Sequence, residues 1–265
     1  MSEKVTCLVA WHNETQRSKF CEAWVVKNND PRVHFQQDVN HEGCAATKNR
    51  AIDWAVDNGV DVAIILDDDV APHPETGTLD ALMAAHVEAL KPQPIDMFLA
   101  VTAPASRGTP YFEKNRKVVM PVAASMGYWT NIPDYDACGQ LVYGPFHPMD
   151  YTRDTVYGQY FSLCGMNLAF RVKEWWPWCE FVGVNRFDDI FCGLLWQKEA
   201  YRRKCCFNLA GPLVKHSRQS NVFANLRDEA KYLEQNETLW REIFLSDKTG
   251  YEDLVKLLPH KKEKA

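Results

Sequence analysis

The stretch VDVAIILDDD, residues 60–69, decides the fold. From Val60 to Leu66 it is β-branched and apolar except for Asp61, and it is bounded by Gly59 on one side and by Asp67, Asp68 and Asp69 on the other. Such a run reads as a central parallel strand covered on both faces. Upstream, Val5 to Ala10 is a second short apolar run and Val33 to Gln37 a weaker one. Helices are expected over Ser18 to Lys27 and over Ala45 to Asn58, the latter stopped by Gly59. Downstream, Thr78 to Leu90 reads as a helix and Met97 to Val101 as a strand. This alternation predicts an α/β protein, a mostly parallel sheet flanked by helices, with ligands bound beyond the carboxyl ends of the strands.

From Ala103 to Phe161 the texture changes to Pro, Gly, Tyr and Asp without a clean period, which reads as loops and antiparallel strands laid over the sheet. A segment from Gly165 to Phe170, a helix from Asp188 to Arg202, a strand from Cys206 to Val214 and a helical segment from Phe223 to Phe244 follow. The composition is that of an ordinary globular protein: 265 residues, 46% hydrophobic, with 30 basic against 35 acidic side chains. That excludes disorder, collagen and coiled coil, and the slight acidity argues against sequence-blind nucleic-acid binding. No apolar run reaches the ~18 to 20 residues that span a bilayer, and the start lacks the pattern of a signal peptide. Nine cysteines without a C-x-x-C pair suit free thiols in a reducing compartment, so a cytoplasmic location is expected.

Three neighbouring carboxylates repel one another, and a hard divalent ion, Mg²⁺ or Mn²⁺, is their natural partner. On an extended chain Asp67 and Asp69 share one face and Asp68 takes the other. A solvated acidic turn is the equal alternative. Asp188 and Asp189 stand at a helix start, either as caps or as carboxylates facing a substrate hydroxyl, as general base or as positioning acceptor. His216, beside Lys215 and Arg218, is either a structural histidine or a metal ligand next to cations that meet phosphate. Arg107, in a loop beside a glycine, holds either a diphosphate or the loop itself. Lys48 and Arg50 either reach a diphosphate or decorate a solvated helix end, and the cluster Trp175, Trp176 and Trp178 reads as packing. There is no P-loop, no dinucleotide fingerprint and no nucleophile elbow. The remaining set is what transfer of a sugar from a nucleotide diphosphate needs: a cation against the leaving diphosphate and a carboxylate at the sugar and acceptor.

Taken together, ILDDDV (65–70), RGTPY (107–111), WTNIPDYDA (129–137), CGMNLAF (164–170), RFDDIF (186–191) and GPLVKHSRQSNVFANLRDE (211–229) resemble, in order, the reversibly glycosylated polypeptide family, the plant-type UDP-arabinopyranose mutases. The resemblance implies a GT-A-like, nucleotide-diphospho-sugar transferase fold. It makes residues 1–245 a single catalytic domain, with 1–105 the nucleotide-sugar half and 106–245 the acceptor and sugar half, followed by a C-terminal helix and charged tail over 246–265. It places Asp67 and Asp69 with His216 on Mn²⁺ or Mg²⁺, Asp67 and Asp68 on the UDP ribose and diphosphate, and Asp188 and Asp189 near the sugar. Arg107, Asn167 and Lys215 fall at matched or adjacent positions as further nucleotide-sugar contacts. Between NIPDYDA and CGMNLAF, where the family carries a reversibly glycosylated arginine, this chain is shorter and offers only Arg153.

The expected activity is therefore metal-dependent transfer from a UDP-sugar, pentose or hexose, to a separate acceptor: a small molecule, a protein or a modified DNA base. The alternatives are pyranose–furanose interconversion of UDP-arabinose and a non-catalytic UDP-sugar-binding subunit. An oligomer, with copies of itself or with a related chain, is compatible with this composition.

Overall fold

In the computed structural model the described residues are 3–101, 111–131, 154–158, 161, 163–174, 187–217 and 221–245. Strands β1 (Val5–Trp11), β2 (Val33–Gln37), β3 (Val62–Asp67) and β4 (Val70–Pro72) alternate with helices α1 (Glu14–Trp24), α2 (Cys44–Asp57) and α3 (Leu79–Ala89). Then come β5 (Gln93–Val101), β6 (Tyr111–Met120), β7 (Val122–Asn131), β8 (Thr155–Val156), β9 (Asn167–Arg171), α4 (Asp188–Arg202), β10 (Cys206–His216), α5 (Val222–Ala230) and α6 (Leu233–Leu245).

The central sheet has the order β2-β1-β3-β9-β7-β10-β4, with β8 beside β10. β1 pairs in parallel with β2 and β3, and β7 with β10, while β9 runs antiparallel between β3 and β7 and β4 antiparallel on β10. The α/β expectation holds, as a mixed sheet whose main strands point one way. β3 is apolar on both sides because both sides are covered. Ala63 and Ile65 face one core with Leu8, Ile52, Phe170 and Trp196. Val62, Ile64 and Leu66 face the other with Val9, Phe20, Trp24, Leu79 and Leu82. Thus α2, α4 and α6 cover one face, α1 and α3 the other, and each large aliphatic side chain so enclosed contributes about 1.5–3 kcal/mol.

Several sequence expectations are corrected. The segment from 103 onward contains β7, a strand of the central sheet, whose small residues Ala123, Ala124, Ser125 and Gly127 do not announce it. β5 does not extend the central sheet but pairs with β6 in a separate two-stranded one. The first helix runs earlier than 18–27, capped by Asn13, whose side chain accepts from Thr15 N, and closed at Val25 in the left-handed region (φ 54°). The final helical segment is two helices, α5 and α6.

Asn167 also departs from expectation. Opposite Leu66 on β9, it points into the α3 face and is 0% exposed. Its Oδ1 meets His86 Nε2 at 2.8 Å and its Nδ2 donates to Pro212 O at 2.7 Å, while His86 Nδ1 meets Ser125 Oγ at 3.0 Å. Burial pushes the His86 imidazole down to about 4, so it is neutral. With no surface left for a ligand, Asn167 is a core polar tie across α3, β7, β9 and β10 and not a sugar contact. Gly127 makes room for it. A Cβ there would stand 2.1 Å from Pro212 O and 2.2 Å from Asn167 Nδ2. Gly127→Ala is expected to lose about 1–3 kcal/mol or more, by overpacking and by breaking the amide's bonds, which thermal or urea unfolding would register; an unshifted midpoint would contradict the tie.

Candidate functional site

The site forms where β3 ends. After Asp67 the chain does not stay extended: Asp68 and Asp69 make a turn along the rim of the sheet, and β4 re-enters beside β10, pairing Val70 with His216 and Ala71 with Lys215. The shared-face expectation for Asp67 and Asp69 therefore fails, because alternation stops with the strand. Asp67 continues the Ala63–Ile65 face towards α2. Asp69 is carried to the end of β10, where its Oδ2 lies 3.5 Å from His216 Nε2, both side chains 3% exposed. Ser217 N and Oγ both donate to Asp69 O, and Trp24 Nε1 donates to Val70 O, fixing the turn on each side.

A cleft of about 180 Å³ opens over this turn. Ala10, Trp11 and His12 at the end of β1 form one wall, Asp38, Cys44 and Thr47 another, and Asp67, Asp68 and Asp69 the floor. It lies beyond the carboxyl ends of β1 and β3, as expected for a sheet of this kind. Its second wall is rigid. Asp38 accepts from the backbone N–H groups of Glu42 and Gly43 at 3.0 and 3.1 Å, and Arg50 ties Asp38, Glu42 and the Thr47 hydroxyl together. Arg17 lies over the Trp11 ring, 4.8 Å from its centroid, and 5.0 Å from that of Phe35, supporting the first wall from behind.

Lys48 is not at a solvated helix end. It is 5% exposed, with Nζ 3.2 Å from Asp67 Oδ1 and 3.4 Å from Gly165 O. Asp67, Cys44, Asp188 and Asp189 all act on its charge. The signal for this was a lone lysine on the apolar side of α2, which spacing alone does not separate from a surface one. Asp189 Oδ2 accepts from Gly165 N at 3.2 Å and its Oδ1 from Ile190 N at 2.8 Å. The N-cap position of α4 is Phe187, which makes no side-chain capping bond, so Asp189 sits in the first turn and ties it to Gly165. Burial of its carboxyl, with Asp188 beside it, pushes its pKa up to about 7.

Asp67, Asp68, Asp69 and His216 thus gather at the rim, with Asp188 and Asp189 joined to them through Lys48. Lys215, next to His216 on β10, alternates to the opposite side of the strand and is partly buried. Arg107, Arg153, Arg218, Trp175, Trp176 and Trp178 lie outside the described residues. Among the described residues no three His, Cys, Asp or Glu side chains converge into a metal site by themselves, and no helix is long and apolar enough to cross a membrane.

Because the folded-state pKa of Asp189 is raised, its neutral form favours the fold, and that stability is lost as pH climbs from about 4 towards 7. Asp189→Asn removes the penalty. Its melting temperature relative to the parent protein is expected to rise between about pH 5 and pH 8; parallel pH curves for the two proteins would contradict the burial of this carboxyl.

Comparison with known proteins follows the same residues. The family model described as "Reversibly glycosylated polypeptide" matches residues 37–249. "Probable UDP-arabinopyranose mutase 1" of Pisum sativum is 32% identical over 181 residues, covering 63% of this chain and 50% of the pea protein. "UDP-arabinopyranose mutase 3" of Arabidopsis thaliana is 33% identical over 146 residues, covering 51% of this chain and 38% of that one. The chain therefore spans about half the length, or less, of these relatives. Among solved structures, a glycosyltransferase involved in the glycosylation of the major capsid of PBCV-1 aligns over 87% of this chain and 99% of its own at 9% identity, with a TM-score of 0.33 that carries no weight for fold or function. The matched residues take in α2, the acidic turn, β10 and the C-terminal helices, though not the β1 wall of the cleft, and the chain belongs to the reversibly glycosylated polypeptides.

Proposed function

We propose that the protein binds a UDP-sugar in the cleft over the acidic turn and exchanges the pyranose and furanose forms of that sugar, as the names of its relatives suggest for UDP-arabinose. The observation that carries this reading is the junction of Asp69 with His216 beneath a cleft walled by Trp11 and the start of α2. The donor set suits a hard divalent ion: carboxylate oxygens with one imidazole, Mn²⁺ or Mg²⁺ being the choice that leaves positions for phosphate oxygens. Asp69 and His216 would hold it, with Asp67 and Asp68 beside it towards the ribose and diphosphate. The ion would offset charge on the diphosphate as the anomeric carbon–oxygen bond weakens.

The chain's own residues do the rest. Cys44 and Thr47 in the first turn of α2 line the cleft, and a helix N-terminus is a favourable end for an anion. Asp189, whose carboxyl is raised above the usual carboxylate range by burial and by Asp188 beside it, would be the group to exchange a proton with the sugar hydroxyls as one oxygen leaves the anomeric carbon and the other bonds to it. Transfer to a separate acceptor would use the same donor site. The mutase names of the relatives favour the internal exchange.

Incubation with UDP-arabinopyranose and Mn²⁺, with no acceptor, separates the readings. The furanose isomer is expected; UDP-sugar consumption only when an acceptor is added would point to transfer instead, and binding without any turnover to a non-catalytic subunit. In calorimetry with UDP and Mn²⁺, Asp69→Asn is expected to weaken binding about tenfold or more, roughly 1.4 kcal/mol, and an unchanged affinity would discard the metal assignment.

A further inference from the structure

We propose that Lys48 is a positioning residue that yokes the two acidic sets of the site through the peptide of Gly165, an inference that rests on the reading of those sets as one UDP-sugar site. A buried ammonium costs several kcal/mol unless it is paired and hydrogen-bonded. Lys48, 5% exposed, sits inside because of its partners, two of which lie on different parts of the chain. On one side Nζ meets Asp67 Oδ1 at 3.2 Å, at the end of β3. On the other it donates to Gly165 O at 3.4 Å, just before β9.

Gly165 is then used a second time. Its N–H donates to Asp189 Oδ2 at 3.2 Å, at the start of α4. The next residue is fixed as well, because Asp67 N donates to Met166 O at 3.3 Å. A chain of contacts therefore runs from the cleft floor to the second acidic pair: Asp67, Lys48, Gly165, Asp189. Asp67 is 33% exposed at its side chain, so one end of the chain faces the cleft, while the ammonium in the middle is closed to water. Lys48 is not itself a donor ligand. It holds the carboxylate of Asp67 and aims the amide of Gly165, and so sets where Asp189 stands relative to the bound sugar. A displacement of about 1 Å at such a joint costs on the order of a hundredfold in rate while leaving the binding surface in place.

The test combines amide hydrogen exchange at Gly165 with UDP affinity and UDP-arabinopyranose turnover, in the full chain and its Lys48→Met, Lys48→Arg and Asp67→Asn variants. Lys48→Met is expected to speed Gly165 exchange about tenfold or more and to cut kcat by a similar factor, with UDP affinity within about threefold of the parent. Lys48→Arg, which keeps the charge, restores most of both. If Lys48→Met does not fold, Asp67→Asn carries the exchange test, with the same acceleration expected. Unchanged Gly165 exchange in the folded Lys48→Met, or in Asp67→Asn where that variant carries the test, overturns the proposal. So does a loss of UDP affinity in step with kcat, which would make Lys48 a donor contact. A parent protein that binds no UDP would sink the functional reading by itself, and the Gly165 exchange would still report on the yoke.

Discussion

Everything at the rim of this sheet depends on how negative charge is gathered without being left bare. Asp67, Asp68 and Asp69 follow a strand whose other residues are all buried, and Asp188 and Asp189 stand at the start of α4, where Asp189 accepts from Gly165. Carboxylates so placed repel one another strongly in a low-dielectric surrounding. The fold answers with two groups. Lys48, sent in from α2, neutralises the Asp67 side. His216, brought up by β10, stands against Asp69. The acidic turn is consequently split: one carboxylate is held by a resident cation, and another is presented with an imidazole, the pairing a divalent ion can use.

This division explains why the sheet has to be mixed. Asp69 reaches His216 because the two-residue turn after β3 leads directly into β4, which pairs antiparallel with the end of β10. Strands from the first hundred residues and from beyond residue 160 share one sheet, so the cleft floor and its histidine come from distant parts of the sequence. Asn167, His86 and Ser125 bind the layers just below this rim, and Gly127 leaves them space.

Much of the fold was legible because the strands β1 and β3 and the helices α2 and α4 carry strong local patterns: continuous apolar runs covered on both faces, and helices with clear ends. β7 was not, since Ala, Ser and Gly give no period, and its place is decided by packing against β9 and β10. Of the site, the acidic turn, His216 and the Asp188–Asp189 pair were readable as residue types in a suggestive order. Which of them meet was not readable. Asp67 and Asp69 look equivalent in the string DDD, yet the turn after residue 67 sends them to different partners. Asn167 lies in a motif string that suggests a ligand, but its position opposite Leu66 makes it part of the core. The inward course of Lys48 depends on carboxylates that are its neighbours only in space.

The central claim, that cation and nucleotide meet on the acidic turn, is tested most directly by paramagnetic relaxation. With isotope-labelled protein and UDP present, a trace of Mn²⁺ is predicted to broaden the signals of Asp69, His216 and the Trp11 indole selectively, and the phosphorus signals of UDP with them. Broadening centred elsewhere, with His216 and Asp69 left sharp, would contradict the account.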